Sequence, residues 1–139
     1  MINTRLIRFA IIVAALAAIE FVTKWWAVTA LSDGARQFPG PVDLQLHYNT
    51  GTAIGLFTDL PPIVISVATV LFIAVVANMW RSDRAPGAPV GLIVAGGLAN
   101  VVDRVQGGGV VDMFHTGWWP TFNLADVFIT IGVAWWIGA

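Results

Sequence analysis

Four apolar runs constrain this chain more than any other feature. They cover residues 6–31, 63–80, 90–105 and 124–139. A membrane-spanning helix needs about 20 predominantly apolar residues, because the hydrocarbon core is about 30 Å thick and each helical residue rises 1.5 Å. The first two runs reach that length. The third and fourth are slightly short, and the third is free to begin earlier. No small-residue cleavage site follows the first run, which is therefore expected to be a retained helix and not a signal peptide. With 58% hydrophobic and 11% charged residues among 139, the expected class is an integral membrane protein of one domain, residues 1–139.

The same composition excludes several function classes. A net charge of −1 gives no reason to expect nucleic acid as a partner, whereas membrane lipids are expected neighbours. Without cysteine there is no disulfide, thiolate site or cysteine nucleophile. His47 and His115 are not at metal-binding helical spacing, and no His-Glu-x-x-His occurs. No metal and no cofactor are expected.

Lysine and arginine placement orients the spans. Arg5 and Arg8 precede the first, and Arg81 and Arg84 separate the second and third. Only Arg36 and Arg104 lie on the opposite side. Both termini are thus expected in the cytoplasm, with segments 32–62 and 106–123 external. "VDLQLHY" (Val42–Tyr48) alternates apolar and polar residues, as a half-buried strand does. "GGGVVDMF" (Gly107–Phe114) places β-branched residues after a glycine triplet. The expected fold is mainly α: four transmembrane helices with a small external antiparallel sheet. Trp25, Trp26, Trp118 and Trp119 suit an outer aromatic belt, and Trp80, Trp135 and Trp136 an inner one.

With this topology the unusual polar residues converge. Glu20 and Lys24 fall about 21 and 27 Å along an outward-running first helix. Asn100, Asp103 and Arg104 lie at the outer end of the third helix, Asn123 and Asp126 at the outer end of the fourth, and Asp112 between them. Charged groups at membrane depth cost several kcal/mol unless paired or wetted, and by default suggest function. Plainer roles are open for each. Glu20 and Lys24 suit an i, i+4 ion pair. Asp103 and Arg104 suit a solvated helix end or a buried brace. Asn123 suits an N-cap, with Asp126 as a capping carboxylate at N3. Yet two carboxylates sharing a site tend to hold one proton between them, as in aspartic proteases. The N-terminus of the fourth helix favours a negative Asp126. Asp112, without such support, is the better proton holder. No serine-protease signature competes for the role.

Four blocks, "EFVTKWW" (20–26), "YNTGTAIG" (48–55), "GGLANVVDR" (96–104) and "VVDMF…FNLAD" (110–126), resemble bacterial lipoprotein signal peptidase, also called signal peptidase II. The resemblance spans essentially the whole chain. It implies four transmembrane helices with an external β-cradle, and catalytic aspartates at Asp112 and Asp126. It implies that Asn49, Asn100, Arg104 and Asn123 line or brace the site, with Asp103, Glu20 and Lys24 as structural polar groups. The implied activity is an aspartic endopeptidase of the bacterial cytoplasmic membrane, its site towards the external face. The implied substrate is a prolipoprotein carrying a diacylglyceryl-cysteine, cut just before that cysteine, and the implied inhibitor is the cyclic peptide globomycin. The chain departs from the family pattern at Glu20 (usually Asp), Phe21 (Gln), Tyr48 (Arg), Ile54 (Phe), Ala99 (Gly) and Met113 (Phe). Two other readings stay open from the residues alone. One is a polytopic binding or transport protein with an outer-leaflet Asp/Asn/Arg site. The other is a catalytically impaired family member that binds lipopeptide.

Overall fold

The computed structural model describes residues 3–52 and 56–139. Element order is α1 (Thr4–Ala30), β1 (Asp43–Asn49), α2 (Pro62–Arg81), α3 (Gly87–Gly107), β2 (Val110–His115) and α4 (Leu124–Gly138). The departure at Ile54 and the last three residues of "YNTGTAIG" lie outside the described residues. Three helices, α1, α2 and α3, are long and apolar enough to cross a membrane. The fourth, α4, is equally apolar but shorter, at 15 residues.

The helix limits follow from local chemistry. Asn3 caps α1, its side-chain oxygen accepting from the backbone N–H of Arg5 and Leu6. The third helix begins three residues before the apolar run, at Gly87. Pro89 is tolerated there because first-turn N–H groups have no intrahelical acceptor. At its other end Gly108, at φ 76°, takes the left-handed conformation that closes the helix, its N–H donating to the Arg104 carbonyl.

The central element is α3. It packs against α1, α2 and α4, and much of its surface is buried, whereas α1 exposes most of its length. The α3–α4 seam is tight because glycines line it. A Cβ on Gly96 would meet the Ala125 carbonyl oxygen at 2.5 Å, and one on Gly132 would meet that of Pro89 at 2.7 Å. Small residues that let backbones approach are the usual basis of helix association in lipid, where van der Waals contact replaces the hydrophobic effect.

At one end of the bundle β1 and β2 form a two-stranded antiparallel sheet. Its register pairs Asp43 with His115, Leu44 with Phe114, His47 with Asp112 and Asn49 with Val110, with an irregularity between Leu44 and His47. That irregularity displaces the simple alternation the sequence shows. Ala27, Leu31 and Met113 form a buried cluster beneath the sheet. Met113, fully buried, fills the space with an unbranched side chain that adapts to irregular cavities. The methyl of Ala99 is fully buried, and Tyr48 and Phe21 are exposed.

The opposite end is held differently. Phe9 of α1 stacks on Trp80 of α2, with ring centroids 3.9 Å apart. Arg5 lies over the same indole, pairs with Asp83, and donates to the Trp80 carbonyl at 2.8 Å. This clasp puts the start of α1 and the α2–α3 turn at one end, as the arginine pattern requires of an even number of crossings.

Candidate active site

The sheet end of the bundle collects the polar residues that the sequence placed there. Glu20, Asp112 and Asn123 are fully buried, and Lys24, Asn49, Asn100, Arg104 and Asp126 nearly so. Their positions come from five elements: α1, the end of β1, α3, β2 and the start of α4.

Asn123 is the hinge of the arrangement. It is the N-cap of α4 in a capping box: its Oδ1 accepts from the Asp126 N–H at 2.8 Å, and Asp126 Oδ2 accepts from the Asn123 N–H at 3.1 Å. Capping and site geometry therefore coincide here. The Asn123 Nδ2 donates to Asp112 Oδ1 at 2.8 Å and also faces Asn100 Oδ1 (3.1 Å) and the Val111 carbonyl (3.2 Å). One residue thus joins the two carboxylates, its side-chain Nδ2 donating to Asp112 and its backbone N–H to Asp126. Asn100 reaches the other oxygen of Asp126, its Nδ2 donating to Oδ1 at 3.2 Å.

The two carboxylates differ. Asp126 accepts on both oxygens. Asp112 accepts on Oδ1 alone, and its Oδ2 is buried without a hydrogen-bond partner. Burial pushes the Asp112 carboxyl up to about 8, and the negative charge of Asp126 pushes it the same way.

The remaining groups are braces. Lys24 donates to Asn100 Oδ1 at 2.9 Å and pairs with Asp103 Oδ2 at 2.8 Å. Asp103 Oδ2 also accepts from the Val111 N–H at 3.0 Å, next to Asp112. The i, i+4 pair is present as well, with Glu20 Oε1 3.3 Å from Lys24 Nζ. Neither Glu20 oxygen has the alignment of a hydrogen bond. The stronger partners of Lys24 are on α3, about 80 residues away in sequence, and no helical periodicity signals them. Arg104 donates from Nη2 to the Gly51 carbonyl at 2.9 Å. Asn49 closes the same turn, accepting from Gly51 N–H at 2.8 Å and donating to the Thr52 carbonyl at 2.9 Å. Arg104 and Asn49 therefore hold the turn after β1, and Arg104 is within electrostatic reach of both carboxylates.

A cleft of about 510 Å³ opens onto Asp126, walled by Trp118, Trp119, Phe122, Val127 and Ile131. It is apolar apart from a few groups. The sequence suggests Trp118 and Trp119 only as belt residues, yet both border this cleft, which forms where the β2–α4 segment folds over α4. Among the described residues, no cluster of three or more His, Cys, Asp or Glu is arranged to hold a metal ion.

The fold and site define a helical membrane protein with a buried carboxylate pair held at one end of its bundle, beside an apolar cleft. A family model described as signal peptidase (SPase) II matches residues 12–139. The lipoprotein signal peptidase of Syntrophomonas wolfei is 32% identical over 118 residues, covering 82% of this chain and 79% of that protein. That of Sulfurimonas denitrificans is 36% identical over 107 residues, covering 74% and 70%. A solved bacterial membrane enzyme superposes with a TM-score of 0.81 at 25% identity, over 91% of this chain and 83% of the other. The chain belongs to the signal peptidase II family.

Proposed function

We propose that the chain is an intramembrane aspartic endopeptidase. It removes the signal peptide from prolipoproteins bearing a diacylglyceryl-cysteine and cuts just before that cysteine. The observation that carries this reading is the bond pattern of the pair: Asp126 fully engaged by donors, Asp112 buried with one oxygen free, and Asn123 between them. Membership of the family and the names of its relatives supply the substrate class.

In the proposed reaction Asp126 is the ionised member and Asp112 the protonated one. Asp126 takes a proton from water as the oxygen attacks the scissile carbonyl carbon. Asp112 gives its proton to the carbonyl oxygen, which yields a neutral gem-diol. Asp126 then passes its proton to the departing amide nitrogen. The C–N bond breaks, and a gem-diol hydroxyl returns a proton to Asp112. The donors on Asp126, Asn100 Nδ2 and the Asn123 backbone N–H, and the Asn123 Nδ2 on Asp112 hold both carboxyls against rotation. The lipid anchor supplies depth: each buried methylene contributes about 0.8 kcal/mol, so two acyl chains hold the cysteine at the membrane level of the pair. The apolar cleft beside Asp126 suits the signal-peptide side of the bond. The sheet end then faces outward from the bacterial cytoplasmic membrane, with both termini in the cytoplasm.

The test is a gel-shift assay with the purified chain and a prolipoprotein, with and without its diacylglyceryl group. The lipidated precursor should be cut and the unlipidated one left intact. Comparable turnover of both would remove lipid dependence and favour a general intramembrane aspartic protease. Cleavage of neither would leave a lipopeptide-binding relative.

A further inference from the structure

The family reading leaves Lys24 as a structural ion-pair partner on α1, yet its geometry reaches further. We infer that Lys24 is a positioning residue: by donating to Asn100 Oδ1, it fixes which face of the Asn100 amide meets Asp126. The inference rests on the proposed role of the carboxylate pair.

The argument starts from the asymmetry of a carboxamide, which has an accepting oxygen and a donating nitrogen. Asn100 Oδ1 receives Lys24 Nζ at 2.9 Å and faces Asn123 Nδ2 at 3.1 Å. Its Nδ2 is therefore turned to Asp126 Oδ1, at 3.2 Å. A flipped amide would set its oxygen against the Asp126 carboxylate and its N–H group against the Lys24 ammonium. Each contact would then oppose like partial charges in a buried site, where electrostatic errors are least screened. A neutral donor in place of Lys24 would bias the amide less, because bonds from ionised donors are roughly twice as strong.

Lys24 is itself held for this purpose. Asp103 Oδ2 grips Nζ at 2.8 Å and the Val111 N–H at 3.0 Å. One ammonium thus stands at the start of two contact chains. One runs through Asn100 to Asp126. The other runs through Asp103 to the strand residue beside Asp112. A simple α1–α3 staple needs only the Asp103 pair. The Asn100 bond adds nothing to it except orientation of a group that touches Asp126.

The test is a double-mutant cycle on the full chain in detergent, with a diacylglyceryl prolipoprotein as substrate. Lys24→Met keeps the length of the stem and removes the ammonium. It should lower kcat on the order of 10- to 100-fold with KM within about twofold, as expected when a reacting group is misplaced and binding is not. In an Asn100→Ala background the same change should cost no more than about twofold, because the path to Asp126 is already cut and Asp103 keeps its bond from the Val111 N–H without the ammonium. Equal losses in both backgrounds would make Lys24 a brace only and overturn the inference. A second readout needs no turnover: the side-chain amide resonance of Asn100 in chain labelled with ¹⁵N-asparagine, assigned by its loss in Asn100→Ala. It should shift on Asp126→Asn in the Lys24 protein, and respond much less in Lys24→Met. An unchanged response would also overturn the inference, even if the chain cleaved no precursor and the protease reading had fallen. Lys24→Gln, which retains a head group for Asp103, serves in both arms if the Met variant does not fold.

Discussion

The two ends of this bundle are built on opposite terms. At the sheet end, four elements meet through buried ionisable groups and carboxamides, Lys24, Asn100, Arg104, Asp112, Asn123 and Asp126, with the half-buried Asp103 beside them. At the other end they meet through Phe9 on Trp80 and the cluster of Val76, Val90, Ile93 and Val94, with a single cation laid over the indole. Among the described residues, no buried side-chain polar atom at the apolar end lacks a partner. The polar end keeps unpartnered atoms on Glu20, Arg104 and Asp112. Buried groups without partners cost about 1–3 kcal/mol each, a cost the apolar end does not carry. The difference teaches that geometry at the site is held by a scaffold anchored elsewhere.

Four measurements can break or sharpen that contrast. The largest effect belongs to the carboxylates. Asp112→Asn and Asp126→Asn should each lower turnover by about 100-fold or more with little change in melting temperature, since general acid–base groups contribute at least that much. Both variants nearly keep the side-chain volume; Asp112→Asn changes only an oxygen without a partner, whereas Asp126→Asn also gives up one of two accepting oxygens and should melt slightly lower. A variant retaining a tenth or more of parental turnover would remove that residue from the pair.

Next comes the opposite end. Trp80→Ala should cost about 3 kcal/mol of stability, from the lost stacking and the cavity left beneath Phe9 and Arg5. The folded fraction should turn over as the parent does. A kcat loss in protein that remains folded would show that the two ends are coupled.

The α3–α4 seam allows a paired comparison along one interface. A methyl at Gly96 would press on the Ala125 carbonyl, one residue from Asp126, and one at Gly132 would press on that of Pro89, far from the site. Both Gly96→Ala and Gly132→Ala should lose about 1–3 kcal/mol through overpacking. Only Gly96→Ala should also lower kcat. Thermal melts and steady-state rates on both variants check this, and equal kcat values would mean that the first turn of α4 is cushioned from the seam.

The smallest effect is a pH slope. With its carboxyl raised to about 8, Asp112 keeps its proton in the folded protein through a range where the unfolded chain, at about 3.9, has lost it. The folded state binds the extra proton, so stability is greatest below about pH 4 and declines as pH rises towards 8. Asp112→Asn should flatten the decline of melting temperature across that window and melt above the parent at pH 9. Identical slopes would assign the titration to another group.

Much of this molecule was legible in its sequence, for identifiable reasons. Apolar runs of span length announced the helices, because lipid tolerates no unpaired backbone over such a distance. Arginines sorted the two ends, and "FNLAD" announced a cap with a carboxylate at N3. What stayed hidden depends on contacts between distant segments. The Glu20–Lys24 spacing suggested a local pair, whereas Lys24 also donates to Asn100, which in turn donates to Asp126. The apolar run left room for an earlier start of the third helix but did not fix it at Gly87, because the Gly-Ala-Pro first turn precedes that run. The β1 irregularity between Leu44 and His47 depends on the partner strand and leaves no mark in the alternation. The cleft walled by Trp118 and Trp119 exists only because the β2–α4 segment folds over α4.

The capping box at Asn123 carries a consequence for the order of biosynthesis. Asp126 takes its position only once α4 has nucleated as a helix, and Lys24 must already wait on α1, more than a hundred residues earlier in translation. A nascent chain halted after β2 would carry Asp112 but neither its carboxamide link nor its partner. The machinery therefore cannot be assembled piecemeal at the translocon: it becomes complete in one step, when the last described helix docks against the third. On the proposed function, the chain would stay inert towards other emerging signal segments until its fourth helix has formed.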